Sequence, residues 1–165
     1  MREILFRGQT RRKGERIMNV RGDKCDSNWV YGGIFPQNNG GDFAIIYQQT
    51  PEIKKYTVYA DTVGQYTGVT DKNGTKIFEG DIIRYGDTIH EVVFEQRNGT
   101  AYFGLVYSEN ETLPFGHYQD LRQIEVIGNI YDTPEYLKGA MKPAATDVAQ
   151  SGLAPATENF SLQEA

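Results

Sequence analysis

Asp61, Asp71, Glu79 and Asp81 crowd one short stretch of the chain, and carboxylates gathered in that way can hold a divalent cation. Asp71-x-Asn73 even opens like a calcium-binding loop. Such a loop needs glycine at its sixth position and glutamate at its twelfth, which here are Lys76 and Ile82. The four acids therefore read as turn formers and solvated charges. Asp42, followed by Glu52-Ile53-Lys54, has the acid…Glu-x-Lys order of metal-dependent nucleases, in which two carboxylates hold an ion and a lysine meets developing phosphate charge. The pattern is short, and the helices it usually sits on are missing from the sequence.

His90 is expected on an inward face with a hydrogen-bonding neighbour, opposite Tyr107. His117, in Leu113-Pro114-Phe115-Gly116-His117-Tyr118, is expected to be exposed, so nothing demands a two-histidine metal site. Cys25 has only Lys24 beside it, and chain neighbours on a strand point apart, which removes the basic partner a nucleophile needs. No Gly-Lys pair occurs, so no phosphate loop of the nucleotide-binding kind is present. These residues yield no catalytic group, no metal set and no cofactor site, and they leave the binding residues open.

The one basic cluster is Arg11-Arg12-Lys13 with Arg7 and Arg16. It could meet phosphates, with Trp29 or Tyr31 stacking on bases, or stand as a solvated hairpin tip. The chain of 165 residues carries 17 basic against 22 acidic side chains, and a net charge of −5 weighs against a general nucleic-acid binder. At 39% hydrophobic content it can bury a core. Its longest apolar run, residues 101–107, is far short of the roughly 20 that a membrane helix needs. Met1-Arg2-Glu3-Ile4-Leu5-Phe6-Arg7 turns charged at once and is not a signal peptide, and a single cysteine suits a reducing cytoplasm. Arg21-Gly22-Asp23 and Asn98-Gly99-Thr100 then match adhesion and glycosylation motifs by chance.

Eighteen glycines, eleven tyrosines and few helix formers in sequence point to a β protein. Short alternating runs at residues 4–6, 29–35, 43–47, 56–60, 77–78, 82–85, 89–95, 101–107 and 124–131 predict strands, spaced as in a barrel or sandwich. Asn98-Gly99 is the strongest turn signal. It pairs Gln96 with Ala101, Phe94 with Phe103, Val92 with Leu105 and His90 with Tyr107, all on an inward face, leaving Glu91, Val93 and Glu95 to water. Asn73-Gly74 predicts a second hairpin, pairing Asp71 with Lys76 and Val69 with Phe78, and Glu79-Gly80-Asp81 then breaks the strand. Residues 37–42 are expected to form a connection that is flexible at its tip. Thr133-Pro134-Glu135 predicts one short helix over about 134–138, capped by threonine. Beyond it, residues 139–165 are rich in Ala, Pro, Thr, Gln and Ser and are expected to be a loosely ordered tail.

Several motifs together resemble the YopX family of phage and prophage proteins. They are Arg2-Glu3-Ile4-Leu5-Phe6-Arg7, Trp29-Val30-Tyr31-Gly32-Gly33, and the central Thr62-Val63-Gly64-Gln65-Tyr66-Thr67-Gly68 with Asp71-Lys72-Asn73-Gly74 and Ile77-Phe78-Glu79-Gly80-Asp81-Ile82. A closing block follows at Glu125-Val126-Ile127-Gly128-Asn129-Ile130-Tyr131. The resemblance implies a mainly β fold: an SH3-like barrel with additional N-terminal strands and hairpins and one short C-terminal helix. The chain is expected to divide into a β subdomain over 1–60, the barrel over 61–138 and, outside the resemblance, the tail over 139–165. The resemblance carries over no reaction and no catalytic residue.

The expectation is a cytoplasmic, non-enzymatic interaction or accessory module of a bacterial host's mobile element. It self-associates, takes a host or phage protein as partner, and needs neither cofactor nor membrane. A nucleic-acid binder is the alternative, and a metal-dependent nuclease ranks below it.

Overall fold

A computed structural model describes residues 3–11, 28–35, 41–49, 51–97, 99–108, 111–116 and 120–140. The predicted positions of Arg12, Lys13, Arg16, Lys24, Cys25, Asn98 and His117, the 37–40 loop tip and the tail from 141 onward lie outside them. The strands are β1 (Phe6–Gln9), β2 (Trp29–Phe35), β3 (Phe43–Gln49), β4 (Ile53–Tyr59), β5 (Gly64–Thr70), β6 (Lys76–Phe78), β7 (Asp81–Tyr85), β8 (Thr88–Arg97), β9 (Thr100–Ser108), β10 (Glu111–Pro114) and β11 (Glu125–Asn129). One helix, α1, spans Glu135–Ala140.

Two antiparallel sheets result, ordered β4-β3-β2-β1-β5-β6 and β10-β9-β8-β7-β11. Mainly β is therefore right, but strand pairing closes neither sheet into the expected barrel among the described residues. Two apolar clusters form. Val30, Ala44, Ile46 and Val58 of the first sheet fill one, and in the other Ile77, from β6 of the first sheet, joins Ile83, Val92, Leu105 and Ile124 on and beside the second. The first sheet curls so far that Val58, on its edge strand, lies over β1. A Cβ placed on Gly8 would stand 2.8 Å from Val58 Cγ2.

The hairpin at Asn98-Gly99 has the predicted register: Val92 faces Leu105, Phe94 faces Phe103 and Gln96 faces Ala101. Its base is buried as expected, but its far end overshoots the core, and Phe94 is 43% exposed. The opposite face is also corrected. Helix α1 lies against β8, and Glu91, Val93 and Glu95 are half-buried rather than solvated.

The hairpin at Asn73-Gly74 differs more. Thr70, not Asp71, faces Lys76, and Tyr66, not Val69, faces Phe78, because the ladder is interrupted around Gly68 at φ 89°. Asp71 leaves the ladder to accept hydrogen bonds from the N–H groups of Asn73 and Thr75 at 2.8 Å and of Val126 at 3.1 Å. Thr133 does not cap α1 through its hydroxyl, which donates to Asn129 O at 3.2 Å.

Close approach of backbones fixes one residue type firmly. A Cβ on Gly32 would sit 1.9 Å from Tyr47 O, so Gly32→Ala must force β2 and β3 apart. Urea unfolding of that variant is expected to show a loss of about 3 kcal/mol, the upper range for overpacking.

Candidate binding cleft

The junction of the two sheets is polar, and β1 makes it so. Arg7 and Gln9 are respectively 5% and 4% exposed in the middle of the six-stranded sheet. Arg7, expected as part of a solvated basic cluster, is instead a buried strut. Its Nη1 donates to Asp81 Oδ1 at 2.5 Å and its Nη2 to Glu79 O at 3.0 Å. The guanidinium lies over the Trp29 ring at 4.7 Å and the Phe78 ring at 5.1 Å, and its buried Nε–H has no acceptor among the described residues.

Asp81 is held for this contact by the turn before it, where Gly80 takes φ 78°, a conformation closed to most side chains. The second oxygen of Asp81 accepts the Phe78 N–H at 2.7 Å. Burial pushes the Asp81 carboxyl above the ordinary range, and the Arg7 charge and the Phe78 N–H only partly offset it.

Beside the strut, Asp132 gathers three donors: Gln9 Nε2 at 2.9 Å, Trp29 Nε1 at 2.7 Å and Asn129 Nδ2 at 2.8 Å. Trp29 is thus a fixed wall, and it also packs on Tyr131 at 5.7 Å between centroids. Tyr31 stays 43% exposed and packs on Phe78 at 5.5 Å.

A cleft of about 500 Å3 opens here, lined among others by Leu5, Tyr31, Lys76, Phe78 and Val126, with the strut in its wall. Tyr31, in its lining, also belongs to the outward face of β2, β3 and β4. There Tyr31, Phe35, Phe43, Tyr47 and Tyr59 alternate with the core residues and form pairs, Phe35 with Tyr47 at 6.1 Å and Phe43 with Tyr59 at 5.2 Å. Gly33 leaves a slot between Tyr31 and Phe35, since a Cβ on it would meet nothing within 4 Å.

The remaining candidates are scattered by the fold. Asp42 and Glu52 sit at opposite ends of the β3–β4 ladder, whose register runs from Phe43 with Tyr59 to Gln49 with Ile53. At about 3.4 Å per residue, that separation is roughly 20 Å, too far to share an ion. This removes the nuclease arrangement. Asp71 is a turn brace, Asp81 an ion-pair partner and Glu79 a half-buried acid whose carboxyl burial pushes up. Asp61 accepts from the Tyr131 hydroxyl through its backbone oxygen at 2.6 Å. No three His, Cys, Asp or Glu converge among the described residues.

His90 is 6% exposed, as expected. Its Nδ1 lies 2.9 Å from Val106 O, its Nε2 lies 2.8 Å from Thr88 Oγ1, and its ring is 4.2 Å from that of Tyr107. Arg11, from the basic cluster, donates to Asn28 Oδ1. Among the described residues no helix is long and apolar enough to cross a membrane.

Arg7 and Gln9 share the face of Tyr31 and Trp29, opposite to Val30, and are buried there only by the second sheet, so no apolar alternation in β1 announces its role. The Trp29-Val30-Tyr31-Gly32-Gly33 stretch was the available signal for the aromatic face, since alternation there puts Val30 inward and Tyr31 out.

A family model described as YopX protein matches residues 21–138. No curated protein matches the chain. Among solved structures, the chain is similar to the crystal structure of protein EF1440 from Enterococcus faecalis. The identity is 22%, over 82% of this chain and 98% of that one, with a TM-score of 0.44.

Proposed function

The chain belongs to the YopX protein family, and from that premise we propose that it is a non-catalytic protein-interaction or accessory module of phage or prophage origin, acting in the host bacterial cytoplasm. Residues 61–138 are its SH3-like part in this reading, and 1–60 an added β subdomain. One observation carries the proposal: an aromatic sheet face left uncovered among the described residues, with Phe35 at 56% and Phe43 at 38% exposure. Rings held in register on a rigid sheet offer area at little cost in side-chain entropy, which suits recognition by contact rather than by chemistry.

Self-association through this face is the simplest use of it. Sedimentation equilibrium at tens of micromolar is expected to give a mass above one chain, falling to one chain for the Phe35→Glu, Phe43→Glu double variant. A strict monomer for the unaltered protein would remove self-association. A nucleic-acid role is the second reading, favoured by Lys55 over the Tyr47 ring at 5.6 Å. It requires DNA or RNA retention that weakens steeply with salt.

A further inference from the structure

We propose that the open edge of β4, over residues 53–57, accepts an extended acidic segment of a partner protein as an added strand. The inference rests on the interaction-module reading and names the partner's chemistry.

The sheets end in four strands, and three of them are poor templates. β6 has three residues. β10 has four, ends at Pro114 and slips register after Glu111. β11 slips register between Val126 and Gly128, and its residues are all half-buried. β4 pairs with β3 without interruption over all seven residues and contains no proline. Among the described residues its other side faces no strand in the sheet order, so a row of backbone donors and acceptors stands ready for pairing. The far half of β4 is closed off, since Val58 is 1% exposed where the sheet curls over β1. The near half is open, with Ile53 at 69% exposure and Lys54 and Lys55 both exposed.

Charge chooses the occupant. Lys72 is paired with Glu125 at 2.8 Å and Lys76 with Glu3 at 2.6 Å. Lys54 and Lys55 have no carboxylate partner among the described residues, and Lys55 only lies over a ring. Successive side chains on a strand point to opposite faces, so these two lysines put one cation on each face of the sheet. Two adjacent acids on an incoming strand alternate in the same way and would meet both lysines at once. A second copy pairing through the same edge would bring its lysines near these, which disfavours it.

The opposing interpretation is that the lysines merely keep the edge from pairing at all. Fluorescence anisotropy with the labelled peptide Thr-Val-Glu-Glu-Val-Thr separates the two. Saturable binding is expected, with amide shifts in the protein's NMR spectrum centred on residues 53–57. Binding is expected to weaken about tenfold either with a Gln-Gln peptide or with the Lys54→Gln, Lys55→Gln variant, as two cross-strand charge pairs imply.

Equal affinity for the Gln-Gln peptide, shifts centred elsewhere, or displacement of the peptide by a much tighter thymidine homopolymer would each overturn the proposal. So would no peptide binding at all, accompanied by a rise in the variant's solution mass, which is the guard-lysine outcome. If the peptide fails while the protein still self-associates through its aromatic face, this inference falls alone and the interaction-module reading stands.

Discussion

Arg7→Met is expected to lower stability by about 3–5 kcal/mol in urea unfolding at neutral pH, the usual result of removing one partner from a buried ion pair. The cause is what remains. Asp81 is 2% exposed, and without Arg7 its charge has only the Phe78 N–H to answer it. Adding Asp81→Asn should recover most of the loss, because the amide keeps an acceptor for Phe78 and carries no charge. A double variant no better than Arg7→Met would show that the cost lies in lost packing against Trp29 and Phe78 instead.

The pH dependence follows from the direction of the Asp81 shift. Burial raises this carboxyl above its unfolded value, so the folded chain holds the proton more tightly than the unfolded chain does. That contribution is fully present below the unfolded pKa and is lost as pH rises through the folded one. Removing Arg7 takes away an influence that lowers it. The deficit of Arg7→Met should therefore shrink as pH falls through the carboxylate range.

Asp71→Ala is expected to cost about 3 kcal/mol, since three N–H groups lose one acceptor side chain. Asp71→Asn should cost less, because one oxygen remains for Asn73 and Thr75. Here the sign reverses. Burial alone would raise the Asp71 carboxyl, but the N–H groups of Val126, Thr75 and Asn73 outweigh it and hold it below the ordinary range. Its stabilisation is complete above the unfolded value of about 3.9 and is lost as pH falls through the lower folded one. The gap between Asp71→Asn and the unaltered protein should accordingly close in acid, as chemical denaturation at several pH values would reveal. A gap independent of pH would mean that the carboxylate charge contributes nothing there.

These two acids also mark the boundary of what could be read beforehand. Where polar and apolar residues alternate and a turn dipeptide sets the phase, as from Val92 to Leu105, even the register was legible. Asp71 was placed in a ladder because alternation is blind to a side chain that satisfies backbone donors across a loop. Its third donor, the Val126 N–H, comes from 55 positions further along the chain. Phe94 followed the pattern and still ended in solvent, because phase says which side a residue faces and not how far the neighbouring sheet extends. β1 lies later in the chain than the alternation at residues 4–6 predicts, since its buried Arg7 and Gln9 are of the types expected outside. The cleft was invisible for the same reason: its wall is an ion pair between residues 74 positions apart.

That separation also governs the order of assembly on the ribosome. A strand near position 7 stays without its anchoring charge until position 81 has emerged, although β2 beside it is complete much earlier. Nascent chains halted before that point would expose an unfinished sheet to chaperones.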